Sequence, residues 1–196
     1  MLPLRRVPAV LTARCLIRLG LTAVAALGIF LFSFQVFTPR VAAVSCALGW
    51  AMLAIAVIDA RRFTIPDVLS LPAIPLGLLA SGKLLASWSG SLVALDHVIG
   101  AILGGAIFWL VREGYSRLRG REGLGFGDVK LAAAAGAWTA WQDLSNVVLL
   151  AAVAALGFAF IRAVVQRNGL AGTERIAFGT FLAPAIWVVW VLRQLA

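Results

Sequence analysis

Long uncharged apolar runs dominate the chain, and short polar segments separate them. A run of about 20 apolar residues is long enough to cross the hydrocarbon core of a bilayer as a helix. The pattern therefore predicts an all-α, polytopic transmembrane helix bundle of about seven spans, within a range of six to eight. The predicted spans are residues 19–37, 41–58, 68–82, 93–111, 131–141, 144–161 and 176–192. In the fourth, Gly100 and Gly104 have the GxxxG spacing that lets helices pack closely.

Composition agrees with a membrane protein. Of 196 residues, 62% are hydrophobic and 13% are charged, and the mean hydropathy is +1.00, whereas a soluble domain is about half apolar and about a quarter charged. A chain of this length predicts one membrane-embedded domain, residues 1–196. Its two cysteines, Cys15 and Cys46, form no metal-binding or disulfide pattern, so we expect both to pack as small apolar residues.

The basic residues predict an orientation. If the N-terminus is cytoplasmic and seven spans alternate, all but three of the 17 Lys and Arg residues lie on the cytoplasmic side; the exceptions are Arg40, Lys83 and Arg193. This asymmetry is the positive-inside signal of a multi-pass inner-membrane protein. The net charge of +9 invites a nucleic-acid partner, but because the charges are scattered over short loops, we predict a lipid bilayer and no nucleic acid.

Two aspartates stand where apolar runs meet polar segments. Asp128 follows the glycine-rich turn at residues 123–127, and Asp59 directly follows an apolar run. Carboxylates beside hydrocarbon are costly and are usually kept for function. Two structural alternatives remain open. Asp128 caps the helix that follows it, or Asp59 pairs with Arg61 or Arg62, although a helix C-terminus disfavours negative charge.

The predicted topology places both aspartates at the cytoplasmic membrane boundary. Two carboxyl groups on one side of the membrane could share a proton and activate water, as the aspartic-protease dyad does. Gly125 and Gly127 would let an extended substrate lie against the backbone beside Asp128. Lys130 would point away from Asp128 on a helix, and we expect it to reach lipid headgroups.

The other polar positions predict structure. Asp67 follows Pro66 and is expected to cap the next helix. Asp96 and His97 lie near the outer end of the fourth span, where a single histidine is typically a satisfied interfacial group rather than a ligand. Asp143 falls in a short outer loop. No cluster has metal-ligand spacing, so we predict no metal and no cofactor.

With these residues assembled, the chain resembles the prepilin peptidases, which are intramembrane aspartyl proteases of the GxGD type. The resemblance covers roughly residues 53–187 and rests on three blocks in order. The blocks are Asp59 with Arg61-Arg62 and Ile65-Pro66-Asp67, then residues 121–131 containing Gly125-Phe126-Gly127-Asp128-Val129-Lys130, then residues 176–183 containing Gly179-Thr180.

The resemblance implies an aspartic endopeptidase with Asp59 and Asp128 as the catalytic pair and with Gly125, Gly127, Lys130, Pro66 and Asp67 as substrate-binding or supporting motif residues. It implies cleavage of pilin-like precursors after a glycine that separates a short basic leader from a hydrophobic helix, at the cytoplasmic membrane face, for pilus assembly or type II secretion. Longer members carry a Cys-x-x-Cys insert and also methylate the new N-terminus. This sequence has no Cys-x-x-Cys, so the prediction is cleavage without support for N-methylation.

Three other functions are compatible with parts of the sequence. A proton-coupled small transporter would need acidic residues near the bilayer midplane and repeat symmetry between halves, and the sequence displays neither. A presenilin-like protease resembles the chain only at Gly125-Phe126-Gly127-Asp128. A non-catalytic membrane assembly subunit is favoured if Asp59 and Asp128 lie far apart.

Overall fold

The protein is a bundle of helices. A computed structural model describes residues 9–81, 91–120, 123–166 and 176–196, and in these ranges the secondary structure is helical, with no strand. The described helices are α1 (Ala9–Val36), α2 (Pro39–Arg62), α3 (Asp67–Leu79), α4 (Ser91–Arg119), α5 (Phe126–Gln166) and α6 (Gly179–Leu195). The all-α prediction is confirmed.

The bundle is built around α5, which packs against α3, α4 and α6, while α6 also packs against α2 and α2 against α1. Small residues bring α4 and α5 together. A Cβ on Gly100 would lie 2.6 Å from the backbone oxygen of Gly136, and a Cβ on Gly104 would collide with that of Ala132. The GxxxG spacing therefore serves helix packing, as predicted.

Helix α5 is broken at Ala140, whose φ of 59° and ψ of 177° are not helical. The break divides α5 into a first arm, residues 126–139, and a second arm, residues 141–166. Thr139, before the break, lies beside Arg193 near the end of α6. Phe158, on the second arm, packs 5.6 Å from Phe181 near the start of α6. The second arm therefore runs back along the bundle, antiparallel to α6.

The predicted count of seven spans is not confirmed. Four described helices are long and apolar enough to cross a membrane, and they contain residues 19–36, 39–62, 93–119 and 126–165. Helices α3 and α6 are apolar but shorter. The fifth and sixth predicted spans are the two arms of α5, joined at Ala140 instead of by a loop at Asp143, which is helical. The chain is helical again directly after Ala140, so no polar loop marks the break. The pattern of polar and apolar residues therefore does not reveal it.

Several helix boundaries in the structure differ from those of the predicted spans. Helix α1 begins at Ala9, before the predicted start at residue 19, and α5 begins at Phe126 rather than 131. Helix α6 begins at Gly179, three residues after the predicted start. The last residue of the third predicted span, Gly82, and the loop residue Lys83 lie outside the described residues.

At the end of the bundle that holds Ala140, polar side chains donate hydrogen bonds to backbone carbonyl groups beside the break in α5. We call this the opposite end; it is formed by Asp96, His97, residues 137–143 and Arg193. His97 Nδ1 donates to the Ala137 carbonyl at 2.9 Å, and Arg193 donates to the Thr139 carbonyl. Such carbonyls lose their helical partners at a break and are costly to bury unpaired. The prediction that His97 is a satisfied group is confirmed.

Candidate active site

Asp59 lies in the last turn of α2, where the chain leaves the helix abruptly. Phe63 adopts the left-handed conformation with a φ of 52°, and its N–H donates to the Asp59 carbonyl. This turn ends the helix in the way that a C-terminal cap does. The Asp59 side chain itself points into the protein and is 4% exposed, whereas Arg61 and Arg62 are exposed. Local backbone geometry thus buries a carboxyl group at the end of an apolar helix.

Helix α6 supplies the donors for Asp59. The Thr180 backbone N–H lies 2.8 Å from Asp59 Oδ2, and the Thr180 hydroxyl lies 3.3 Å from the same oxygen. Thr180 is in the first turn of α6, where the helix dipole favours negative charge. Its N–H also lies 3.3 Å from the Ala177 carbonyl, so the contact with Asp59 is the shorter of the two. The carboxyl group at the C-terminus of α2 is therefore stabilised by the N-terminus of another helix.

Asp128 is held differently. It lies in the first turn of α5, and its Oδ2 accepts a hydrogen bond from the Gly125 N–H at 3.2 Å. This is the back-bond that an acidic residue makes in a capping box, so the helix-cap alternative describes one oxygen correctly. The other oxygen, Oδ1, is buried and has no hydrogen-bond partner within the described part of the chain. A structural cap alone does not account for that oxygen.

Ile65 joins the elements that carry the two aspartates. It is 6% exposed and lies between the first turns of α5 and α6. A Cβ on Gly127 would come within 2.7 Å of Ile65 Cβ, and a Cβ on Gly179 within 2.6 Å of Ile65 Cδ1 and 2.9 Å of Asp59 Oδ2. A side chain at either position would displace Ile65, and at Gly179 it would also displace the Asp59 carboxyl group. The elements that carry Asp59 and Asp128 therefore meet at Ile65.

Outside the buried aspartate pair, a surface ion pair joins the first of the three sequence blocks to the second. Lys130 Nζ lies 2.7 Å from Asp67 Oδ1 and 5.0 Å from the centre of the Phe126 ring. The prediction that Lys130 reaches headgroups is therefore replaced by an interaction within the protein. The predicted cap is also wrong in position, because Pro66 is the N-cap residue of α3 and Asp67 begins the helix.

All seven residues predicted for the site meet at one end of the bundle, which we call the aspartate end. It comprises Asp59, residues 65–67, residues 125–130 and Gly179-Thr180. Sequence reasoning assigned no role to Ile65, Gly179 or Thr180. A usable signal was present for the last two, since both lie near the start of the predicted span 176–192, where a helix N-terminus is expected. No group of three metal-binding side chains occurs among the described residues.

Comparison with known proteins gives a consistent family. Residues 46–160 match the Type IV leader peptidase family. The chain is 37% identical over 147 residues to a prepilin leader peptidase/N-methyltransferase of Escherichia coli (strain K12), covering 75% of this chain and 62% of that protein. It is 39% identical over 142 residues to the protein of that name from Aeromonas hydrophila, covering 72% and 46%.

The chain spans about half to three-fifths of the length of these relatives, between 46% and 62%. No solved structure matches it. The family match covers more than half of the chain and contains both aspartates, the glycine-rich turn and Lys130. The protein therefore belongs to the type IV leader peptidase family.

Proposed function

We propose that this protein is an intramembrane aspartyl endopeptidase that removes the short basic leader from pilin-like precursors. The observation that carries the proposal is the burial of Asp59 and Asp128 at the ends of two helices that meet at one end of the bundle, with one carboxyl oxygen left without a partner among the described residues. Family membership and apolar helices indicate a bacterial inner-membrane protein. The curated relatives are named as prepilin leader peptidases, which supports prepilin or pseudopilin as the substrate class.

The reaction uses one ionised and one protonated aspartate. The ionised carboxylate takes a proton from water as the water oxygen bonds to the scissile carbonyl carbon, and the protonated carboxyl gives its proton to the carbonyl oxygen. The resulting gem-diol then returns a proton to the carboxylate that had protonated the carbonyl oxygen. The proton taken from water passes to the amide nitrogen, the C–N bond breaks, and both aspartates regain their starting states.

We further propose that the aspartate end faces the cytoplasm. Arg61, Arg62 and Arg117 are exposed near this end, and the positive-inside rule assigns such residues to the cytoplasmic side. A leader with basic residues would then meet the site from the cytosol, and the hydrophobic helix of the precursor would remain in the bilayer. This orientation gives the chain a cytoplasmic N-terminus and supports seven crossings, with the α5 arms counted separately.

Our proposal concerns cleavage. The relatives' names combine peptidase and N-methyltransferase activities, and the two cysteines of this sequence are not spaced as Cys-x-x-Cys, so the sequence gives no support for the second activity. This substrate class implies a role for the protein in pilus assembly or in type II secretion. The transporter alternative gains no support from the geometry, because both aspartates lie in terminal turns of their helices.

The deciding experiment is cleavage of a purified prepilin by the full chain in detergent and in liposomes. Asp59→Asn and Asp128→Asn should each lower the cleavage rate by about 10²–10⁴-fold, the usual contribution of general acid–base groups. Asp96→Asn is the matched control at the opposite end and should cleave like the wild type. Retention of wild-type cleavage by either of the first two variants would contradict the proposal.

A further inference from the structure

The two aspartates are not equivalent in their hydrogen bonding. Asp59 Oδ2 receives two donors from one residue, the N–H and the hydroxyl of Thr180, at 2.8 and 3.3 Å. Asp128 Oδ2 receives one longer bond, 3.2 Å from the Gly125 N–H. Asp128 Oδ1 is buried and receives none from the described residues. Within the part of the chain that the structure describes, one carboxyl group is thus built to accept hydrogen bonds, and the other has an oxygen that accepts none.

This difference favours opposite protonation states. Donors directed at a carboxylate stabilise its ionised form, and the dipole of a helix at its N-terminus adds to that effect. An ionised oxygen buried without a donor is costly, whereas a protonated oxygen is itself a donor and loses less on burial. Because two adjacent carboxyl groups do not both ionise cheaply, the proton that they share is most stable on the less well-bonded partner.

We propose that Thr180 is a positioning residue that holds Asp59 ionised, so that Asp59 is the base of the dyad and Asp128 carries the proton. The inference rests on the proposed peptidase function and adds the division of labour. In the first step Asp59 takes the proton from water and Asp128 Oδ1–H protonates the scissile carbonyl oxygen. In the second step Asp59 gives its proton to the leaving amine, and Asp128 recovers a proton from the gem-diol.

The other charged groups near the dyad do not explain this asymmetry. On the element that follows α2, Asp67 is engaged with Lys130 of α5. Arg61 and Arg62 belong to α2 and are exposed. Helix α6 contributes Thr180, which is uncharged, to Asp59. On α4, Arg112 lies 5.7 Å from the centre of the Phe126 ring. The hydrogen-bond donors that distinguish the two carboxyl groups are those of Thr180 on Asp59 and of Gly125 on Asp128.

The hydroxyl contribution can be separated from the backbone contribution. Thr180→Val keeps the N–H and the side-chain shape but removes the hydroxyl, for which Asp59 Oδ2 at 3.3 Å is closer than the Ala56 carbonyl at 3.5 Å. Thr180→Ser restores a hydroxyl. Thr139→Val is the matched control, because that buried threonine donates to the Ala135 carbonyl at the opposite end. The measurement is the pH–rate profile of prepilin cleavage by the full chain.

We expect Thr180→Val to move the acid limb of the profile to higher pH by about 0.4–1 pH units, the value of one hydrogen bond expressed as a titration shift. The sign follows because cleavage needs ionised Asp59, and that form loses a donor. Thr180→Ser should return the acid limb to its wild-type position, and Thr139→Val should leave it there. The rate on the plateau should change less than threefold in all three variants.

Two outcomes would overturn the assignment while leaving the peptidase intact. A uniform loss of rate at every pH would make Thr180 merely structural, and a shift of the basic limb in place of the acid limb would make Asp59 the proton carrier. If Thr180→Val does not fold, Thr180→Ala compared with Thr180→Ser gives the same test with a smaller side chain. Failure of the proposed function is seen separately, as wild-type cleavage by Asp59→Asn or Asp128→Asn.

Discussion

The two ends of the bundle both bury polar side chains, but they treat them in opposite ways. At the opposite end His97 and Arg193 donate to the carbonyls freed by the break at Ala140, and Asp96 accepts from Trp141 and Gln142 at 3.2 and 3.1 Å. At the aspartate end, Asp128 Oδ1 is left without a partner among the described residues. The first arrangement satisfies the backbone, and the second keeps an acceptor available.

This difference separates groups that serve stability from groups that serve chemistry. A buried polar group whose partners are all within the protein lowers the free energy of the folded state when it is retained. Two neighbouring carboxyl groups raise that free energy through mutual repulsion and desolvation. Substitutions at the two ends should therefore change activity and stability in different combinations.

The largest expected effect is at the aspartate end. Asp128→Asn should lower the cleavage rate by about 10²–10⁴-fold. The unfolding midpoint in detergent should equal that of the wild type or rise, because one of two interacting carboxyl groups is gone. Both quantities are measured on the same preparation. A lowered midpoint together with lost cleavage would mean that Asp128 is a structural cap, and the contrast between the ends would fail.

A smaller effect is expected from filling the contact around Ile65. Gly179→Ala would place a Cβ 2.6 Å from Ile65 Cδ1 and 2.9 Å from Asp59 Oδ2. Overpacking of this kind costs about 1–3 kcal/mol. Because the strain here falls on the catalytic carboxyl group, cleavage should fall by about 5–150-fold, the rate change that corresponds to this energy. Gly157→Ala is the control, since a Cβ there meets nothing within 4 Å. Equal cleavage by both variants would remove Ile65 from the site.

The opposite end should show the reverse combination. Arg193→Met leaves the Thr139 carbonyl without its side-chain donor, and an unpaired buried acceptor costs about 1–3 kcal/mol. The free energy of unfolding should fall by that amount, while cleavage per folded molecule stays within about twofold of wild type. His97→Phe should behave in the same way through the Ala137 carbonyl. Specific activity of the folded fraction, measured beside the unfolding curve, checks both.

The sequence predicts the features that depend on local composition, and it misses those that depend on contacts between residues far apart in the chain. Apolar runs predicted the helices, because hydrocarbon burial depends on composition, and the glycine-rich turn with Asp128 marked a site by its mismatch with apolar surroundings. The break at Ala140 was missed because its satisfying partners, His97 and Arg193, come from α4 and α6. Thr180 was missed for the same reason, since its partner is 121 residues away.

The smallest expected effect concerns the surface pair that joins the two sequence blocks. Lys130 and Asp67 are 2.7 Å apart, but the Asp67 side chain is 59% exposed, and exposed pairs are worth about 0.2–1 kcal/mol. Lys130→Met should therefore lower the free energy of unfolding by no more than that and slow cleavage by less than about fivefold, with both losses shrinking as salt is raised.

Arg117→Met is the matched control, because the ion pair that the described residues show for Arg117, 2.7 Å from its Nε to Glu113 Oε1, lies within its own helix. Cleavage by this variant should match the wild type. A loss for Lys130→Met as large as that for Asp128→Asn would place the lysine inside the chemistry. The aspartate end would then extend from the buried pair to its surface, and its contrast with the opposite end would no longer rest on Asp128 alone.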